Sequence, residues 1–262
     1  MSSLKNTLPI NELTIPEFPL HDDPAWNLAL EEVLLYHAPS EYFMLWTNRP
    51  SVIIGRNQSA ANEVNIHFAM KHDIPIFRRI TGGGAVYHDE GNLNFTWIVN
   101  RQSEKGAEFF YHPIITALKA IGIHTSFNGR NDLITGNRKI SGSAMLVQDG
   151  RVLFHGTLLI KSNLNMMEQI LTPNSDKLYK NGVRSVRERV ANASDIASAL
   201  PAICELRSLI FSSLEEIAGV VVFKKIAESI LGEVETLRRT KYLNENWNKH
   251  KNAFTGGTCE NL

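Results

Sequence analysis

The sequence predicts an α+β (mixed α/β) fold with one central mixed or antiparallel sheet flanked by helices. Strand-like runs and tight-turn signals crowd residues 42–160, helical periodicities occupy both ends, and no repeat or low-complexity segment intervenes. The 262 residues are 43% hydrophobic and 8% aromatic, enough to bury a substantial core. They divide into a domain over residues 1–250 and a flexible tail over 251–262. Lys+Arg and Asp+Glu both number 27, so no global basic field points to nucleic acid and no polybasic stretch to a membrane surface. No apolar run approaches the roughly 20 residues of a transmembrane helix, and the N-terminus lacks a signal-peptide core. Two cysteines make no disulfide framework. Cys204, in an apolar stretch, is expected to be buried, Cys259 lies in the polar tail, and a cytoplasmic location is expected.

His21-Asp22-Asp23-Pro24-Ala25-Trp26 starts the first helix, with Asp at the cap and Pro at the first helical position. Trp26, Leu30, Val33 and Leu34 supply its apolar face to about Tyr36. Two short strands follow, Tyr42 to Trp46 and Ser51 to Ile54, joined by the turn Asn48-Arg49-Pro50. A polar loop from Gly55 to Gln58 leads to a helix over Ala60 to Lys71. The apolar runs Ile74-Pro75-Ile76-Phe77 and Leu93 to Val99 then flank a glycine loop. Beyond it a linker precedes a helix ending near Gly122, with Ile114, Ile115, Leu118 and Ile121 on its apolar face. Gly136-Asn137 and Asp149-Gly150 are tight-turn signals that bracket further strands. A helix over Met166 to Leu171 stops at Pro173, and Ser194 to Ile203, Glu205 to Ala218 and Lys225 to Arg238 read as helices.

Chemistry concentrates in three stretches. The first is Arg78-Arg79-Ile80-Thr81-Gly82-Gly83-Gly84-Ala85-Val86-Tyr87-His88-Asp89. Glycines without a Cβ let a ligand approach main-chain N–H groups, and arginines offer a fork suited to phosphate or carboxylate. Taken alone, the loop is equally a glycine-rich hairpin turn with surface arginines. It has neither P-loop spacing nor a following helix, so a nucleotide would bind over a sheet. The second stretch, Gly129 to Ala144, carries Lys139 among small neighbours that leave room for a ligand; an exposed turn lysine is the plain alternative. The third is His155-Gly156-Thr157. His88 and His155 are lone histidines near strand ends, which are more often hydrogen-bonded structural residues than catalysts, and no zinc-ligand spacing is present.

Together these stretches resemble a known family. The Arg-Arg-x-x-Gly-Gly-Gly-Ala-Val-Tyr-His-Asp motif, Gly129-Arg130-Asn131-Asp132-Leu133, Arg138 to Ala144, His155 to Leu159 and Ser185 to Asn192 match, in order and spacing, the catalytic domain of the lipoate–protein ligases of the biotin/lipoate ligase superfamily. The resemblance runs from about Pro24 to Asn192 and more weakly to Trp247-Asn248. It implies a fold similar to biotin ligases and class II aminoacyl-tRNA synthetases. It also implies a two-step reaction: lipoate and MgATP form lipoyl-AMP and pyrophosphate, and a lysine of an apo lipoyl domain (of a 2-oxoacid dehydrogenase) or of the glycine-cleavage H protein then takes the lipoyl group.

By that resemblance Arg79, the loop Gly82, Gly83, Gly84, Ala85, Val86 and Tyr87, and Lys139 contact the adenylate, with Lys139 the catalytic residue. Asn131, Asp132 and Ser143 belong to the same set, with Asp132 a candidate magnesium ligand. Trp46, Val86, Ala144 and the His155 strand form the apolar slot for the acyl chain; His88 orders the loop and His155 reaches the lipoyl end. Octanoyltransferases and lipoyl amidotransferases share this fold, but the thioester-forming ones carry a Pro-Cys-Gly cysteine where this chain has Leu171-Thr172-Pro173-Asn174. A lipoyl-binding regulator is the non-enzyme alternative. Long family members continue into a C-terminal accessory domain, so either a separate polypeptide supplies that function as a further partner, or this core suffices, or it performs only the transfer half.

Overall fold

The structure, a computed structural model, describes residues 10–17, 21–101, 106–172 and 189–249. An eight-stranded mixed sheet forms its centre, in the order β11-β1-β2-β6-β10-β9-β8-β7. Its strands are β1 (Glu12–Glu17), β2 (Glu41–Trp46), β6 (Asn92–Asn100), β7 (Ser126–Phe127), β8 (Asp132–Thr135), β9 (Arg138–Gln148), β10 (Arg151–Leu159) and β11 (Val220–Lys225). β1 runs parallel to both neighbours and the remaining pairs are antiparallel. A second sheet of three strands, ordered β4-β3-β5, comprises β3 (Ser51–Ile54), β4 (Ile76–Arg78) and β5 (Val86–His88). The central mixed sheet flanked by helices is thus as the sequence predicts, and the small second sheet is an addition to it. Four residues, Thr47 to Pro50, suffice to carry the chain from β2 into a different sheet, with the Ser51 hydroxyl donating back to Arg49 O.

Alternation along the strands builds two apolar layers. Phe43, Leu45, Phe95, Trp97, Val152 and Phe154 face helices α4 (Ala107–Ala120) and α6 (Ile203–Leu214) in one core. Met44, Trp46, Ile98 and Leu153 face α1 (Pro24–His37) in the other. Asp23 caps α1 through its side chain, which accepts from Ala25 N, and Pro24 occupies the first turn, as the sequence predicts. The expected helix over Ala60 to Lys71 is two, α2 (Ala60–Glu63) and α3 (Ile66–Lys71), broken where extended Val64 bridges to Leu171. α5 covers Leu164–Ile170; the Pro173 stop lies outside the described residues.

The C-terminal third departs furthest from expectation. Ser194 to Ile203 holds only a 3-10 turn, Ala193–Asp195. Val220–Lys225, absorbed by the sequence reading into the gap between helices, is strand β11, and α7 begins at Glu228 and ends at Leu237. β1 was also unforeseen, because its Pro16 argues against a sheet interior. Pro16 is tolerated because pairing with β2 is confined to Leu13 and Thr14. A π-helical turn, Arg238–Tyr242, and a short helix α8, Glu245–Lys249, complete the fold. Cys204 is exposed rather than buried, since it lies on the outer side of the first turn of α6 while Leu206 and Ile210 take the core positions. Ser185 to Glu188, the 251–262 tail and Cys259 lie outside the described residues.

Candidate functional site

The glycine loop is no hairpin turn, because β3 lies between β4 and β5 and the loop must cross over it. Gly83 alone of the three glycines takes a positive φ, 90°. Arg79 gathers the loop from beneath. Its Nη2 donates to Gly82 O at 2.6 Å and Gly84 O at 2.9 Å, Nη1 donates to Ile53 O at 3.1 Å, and Nε to Thr81 Oγ1 at 2.9 Å. In trans peptides the N–H opposes the C=O, so the amides of Gly83 and Ala85 point away from the guanidinium. Burial lowers the Arg79 pKa to about 10, with Glu31 opposing the shift, so it stays a cation at neutral pH. Arg78, expected beside it at the entrance, is instead buried at 1% exposure and makes no part of the cavity wall.

β9 delivers Lys139. Pairing with β8 slips between Leu133 and Ile134, so Ile140 and Ser141 stand as a bulge and both point into the interior. Strict alternation would place Lys139 opposite Gly142; the bulge brings it onto the same face as Gly142 and Ala144. Its Nζ lies 2.8 Å from Asp132 Oδ1 with one-third of the side chain exposed. A Cβ on Gly142 would fall 2.3 Å from that Nζ, so the glycine makes the space the ammonium occupies. Asn128 organises the turn before β8: its Oδ1 accepts from the backbone of Arg130, Asn131 and Asp132, and its Nδ2 donates to Asp132 Oδ2.

These groups line one cavity of about 660 Å³, within the usual range for small-molecule sites. One end is polar, with Arg79, Gly83, Gly84, Ala85, Asn131, Asp132, Lys139, Ser143 and the sequence-unpredicted Asn128, Arg130 and Arg189. The other is walled by Leu28, Trp46, Ile53, Val86 and Ala144, with His88 and His155. Of the expected residues, Gly82 is exposed outside this wall, and Tyr87 is buried with its side chain on a smaller adjoining cavity of about 190 Å³.

Two buried hydrogen-bond chains underlie the apolar end. In the first, Arg79 Nε donates to Thr81 Oγ1, so the Thr81 hydroxyl hydrogen goes to His155 Nε2 at 2.8 Å. His155 Nδ1–H then faces both oxygens of Glu31 at 2.9 and 3.0 Å, and Thr96 Oγ1 donates to Glu31 at 2.6 Å while accepting from Trp46 Nε1. In the second, Asn27 donates to Asn48 Oδ1, leaving Asn48 Nδ2 to donate to His88 Nδ1 at 3.0 Å. His88 therefore carries its proton on Nε2, which has no partner among the described residues on the wall of the cavity. Burial, then Arg79 and His155, push its pKa down to about 3, so it is neutral. Glu31 and Thr81 were missed from sequence. Glu31 did leave a signal: it sits between Leu28 and Leu35 on the apolar stripe of α1, where a carboxylate needs a buried partner.

The family described as the lipoyl protein ligase A/B catalytic domain matches residues 23–215. Lipoate–protein ligase 1 of Staphylococcus aureus is 38% identical over 234 residues, 88% of this chain and 71% of the relative. Lipoate-protein ligase LplJ of Bacillus subtilis is 36% identical over 233 residues, 87% and 70% respectively. Among solved structures, T. acidophilum Ta0514 with bound lipoic acid superposes with a TM-score of 0.78 at 26% identity, covering 91% of this chain and 98% of that one. Lipoate-protein ligase A bound with ATP gives the same score, identity and coverage. A bi-partite lipoate protein ligase, described with its E2 lipoyl domain, scores 0.77 at 28% identity over 91% and 96%. The chain belongs to the lipoyl protein ligase A/B catalytic-domain family and is an enzyme of the ligase class.

Proposed function

We propose that the chain is an ATP-dependent lipoate–protein ligase. It joins lipoate to AMP with loss of pyrophosphate, then passes the lipoyl group to a lysine of an apo lipoyl domain or of the glycine-cleavage H protein. The observation that carries this reading is one cavity with cations and loop amides at one end and an apolar slot at the other. Relatives solved with lipoic acid and with ATP support it.

In the first step a lipoate carboxylate oxygen attacks the α-phosphorus and the bond to pyrophosphate breaks. Two anions must approach, which needs cations held in line. Lys139 and Arg79 supply them, and the Gly83 and Ala85 amides add donors for the phosphate. In the second step the acceptor amine attacks the acyl carbon, AMP leaves, and Lys139, bridging carbonyl and phosphate oxygens, stabilises charge on both. The acyl chain lies along Trp46, Val86 and Ala144 at about 0.8 kcal/mol per buried methylene. His88 Nε2–H and the Thr81–His155–Glu31 chain give that end polar points of orientation.

Magnesium fits this donor set as a rider on the ATP phosphates. Among the described residues no cluster of three or more His, Cys, Asp or Glu exists, and Asp132 is the one carboxylate on the main cavity wall. Magnesium held largely by phosphates and water needs no more than one or two protein carboxylates. Asp132, with Asn128 and Asn131 beside it, would hold it, and it would neutralise phosphate charge. No cysteine lines the cavity among the described residues, which leaves a thioester intermediate without a nucleophile there. No helix among the described residues is long and apolar enough to cross a membrane, and a cytoplasmic enzyme is part of this proposal.

The test is pyrophosphate release from the purified chain with ATP and lipoate, followed by weighing an apo lipoyl domain. Release plus the lipoyl mass increment is the expected result. Amide formation only from supplied lipoyl-AMP would replace this reading with that of a transferase. Neither product, even with a partner polypeptide of the bi-partite type, would end it.

A further inference from the structure

Arg78 is a buried cation with no carboxylate partner among the described residues. Its guanidinium is spent on five carbonyl oxygens: Gly55, Arg56 and Gln58 through Nη1 at 3.2, 3.0 and 2.6 Å, Trp247 through Nε at 2.8 Å, and Asn248 through Nη2 at 3.1 Å. The same two C-terminal residues also hold its main chain. Arg78 N donates to Asn248 Oδ1 at 2.9 Å, and Trp247 Nε1 donates to Arg78 O at 2.8 Å. A buried charge satisfied only by dipoles is costly, and a neutral side chain would fill such a space at less cost. Its worth lies in what it joins.

On one side is the 55–58 loop, which touches the glycine loop: Arg56 N donates to Thr81 O at 2.8 Å, and a Cβ on Gly55 would fall 2.1 Å from Gly83 O. On the other is α8, anchored to α1 where Lys241, 4.1 Å from the Trp247 ring, takes both oxygens of Glu32 at 2.7 and 2.8 Å. Between them Arg78 is the residue immediately before Arg79.

We propose that Trp247 and Asn248 are positioning residues for the reaction. By gripping Arg78 they fix β4 and the 55–58 loop, and through these they hold Arg79 and the glycine loop in the geometry that receives the nucleotide. The functional half of this inference rests on the ligase reading; the positioning half does not.

The experiment measures amide hydrogen exchange over residues 79–87 and, separately, steady-state pyrophosphate release. Trp247→Phe removes the N–H donor to Arg78 O together with part of the ring that Lys241 faces, Asn248→Ala removes the acceptor for Arg78 N and the donor to Tyr242 O, and Asn248→Asp keeps the acceptor while losing that donor. Exchange in 79–87 should rise roughly fivefold to tenfold in the first two, the equivalent of about one hydrogen bond, and return toward the wild-type rate in Asn248→Asp. KM for ATP should rise by a like factor in Trp247→Phe with kcat within about twofold, a split that general loss of stability does not produce. Loop exchange unchanged in both Trp247→Phe and Asn248→Ala overturns the proposal. Wild-type protein that releases no pyrophosphate, even with a partner polypeptide of the bi-partite type, counts against the ligase reading instead, and leaves the exchange result to decide the positioning role by itself.

Discussion

Lys139 reaches the cavity by virtue of one extra residue in β9 and one missing Cβ at Gly142. Lys139→Ala should abolish pyrophosphate release and transfer alike with the melting temperature nearly unchanged, because the side chain is partly exposed and only its Asp132 pair is lost. Gly142→Ala is the subtler test. Its φ is unexceptional, so the fold tolerates alanine, but the new methyl must displace the ammonium. Activity should drop on the order of 100-fold, as for a misplacement of about 1 Å, with little loss of stability. A fully active Gly142→Ala enzyme would break the link between Lys139 placement and turnover. His88 gives a pH signature. Unfolded, it binds a proton near pH 6.5; folded, only near pH 3. In that window the unfolded state holds more protons, so stability falls as pH drops from 6.5 toward 3, by at most about 1.4 kcal/mol per pH unit. Denaturant titrations of wild type and His88→Gln should differ by a constant above pH 6.5, with the wild type losing ground below it. At this scale ordered motifs singled out Lys139, Arg79 and Asp132, and the structure places all three on one cavity wall. The sequence was silent on Thr81 and Thr96, whose bonds to His155 and Glu31 span 74 and 65 positions.

Elements with strong local signals were legible and those made by tertiary pairing were not. α1 announced itself through Asp23-Pro24 and a regular apolar stripe. β11 is a solvent-exposed edge, with Val220 at 54% and Phe223 at 56%, so it lacks the alternation that marks a half-buried strand, and its existence depends on β1. The turn signals Gly136-Asn137 and Asp149-Gly150 located the β8–β9–β10 meander correctly, with positive φ at Gly136, Asp149 and Gly150. Asp23 shows how an element boundary carries more than its local role. Besides capping α1 it accepts from Arg238 Nε at 2.6 Å, tying the start of the first helix to the π-helical turn near the other end of the chain. Asp23→Ala should therefore cost more than the roughly 1 kcal/mol of an ordinary cap, whereas Asp23→Asn, which can still cap, should recover most of that part. Chemical denaturation of the two variants separates cap from ion pair; equal losses would mean the cap contributes nothing.

At the scale of the molecule, the division into two sheets is what makes the cavity, and the sequence could not show it because no local signal says that β3 leaves the sheet of β2. Trp46, Lys139, Ala144 and His155 come from the large sheet, Ile53, Val86 and His88 from the small one, with the glycine loop spanning the gap. A ligand in this cavity touches both sheets and binds neither alone, so it stabilises only the assembled fold. At 100 times its Kd a single ligand adds about 2.7 kcal/mol, worth roughly 5–10 °C in a chain of this size. Lipoate should engage mainly the apolar end and ATP mainly the cationic end, each giving a moderate rise in melting temperature. Together with magnesium they should give more than the sum of the two rises, because the mixed anhydride they form is held at both ends and cannot leave one without the other. In Lys139→Ala, where no anhydride forms, the combined rise should fall back to the sum. A strictly additive rise in the wild type, under conditions where pyrophosphate is released, would mean the two halves of the cavity do not grip one molecule.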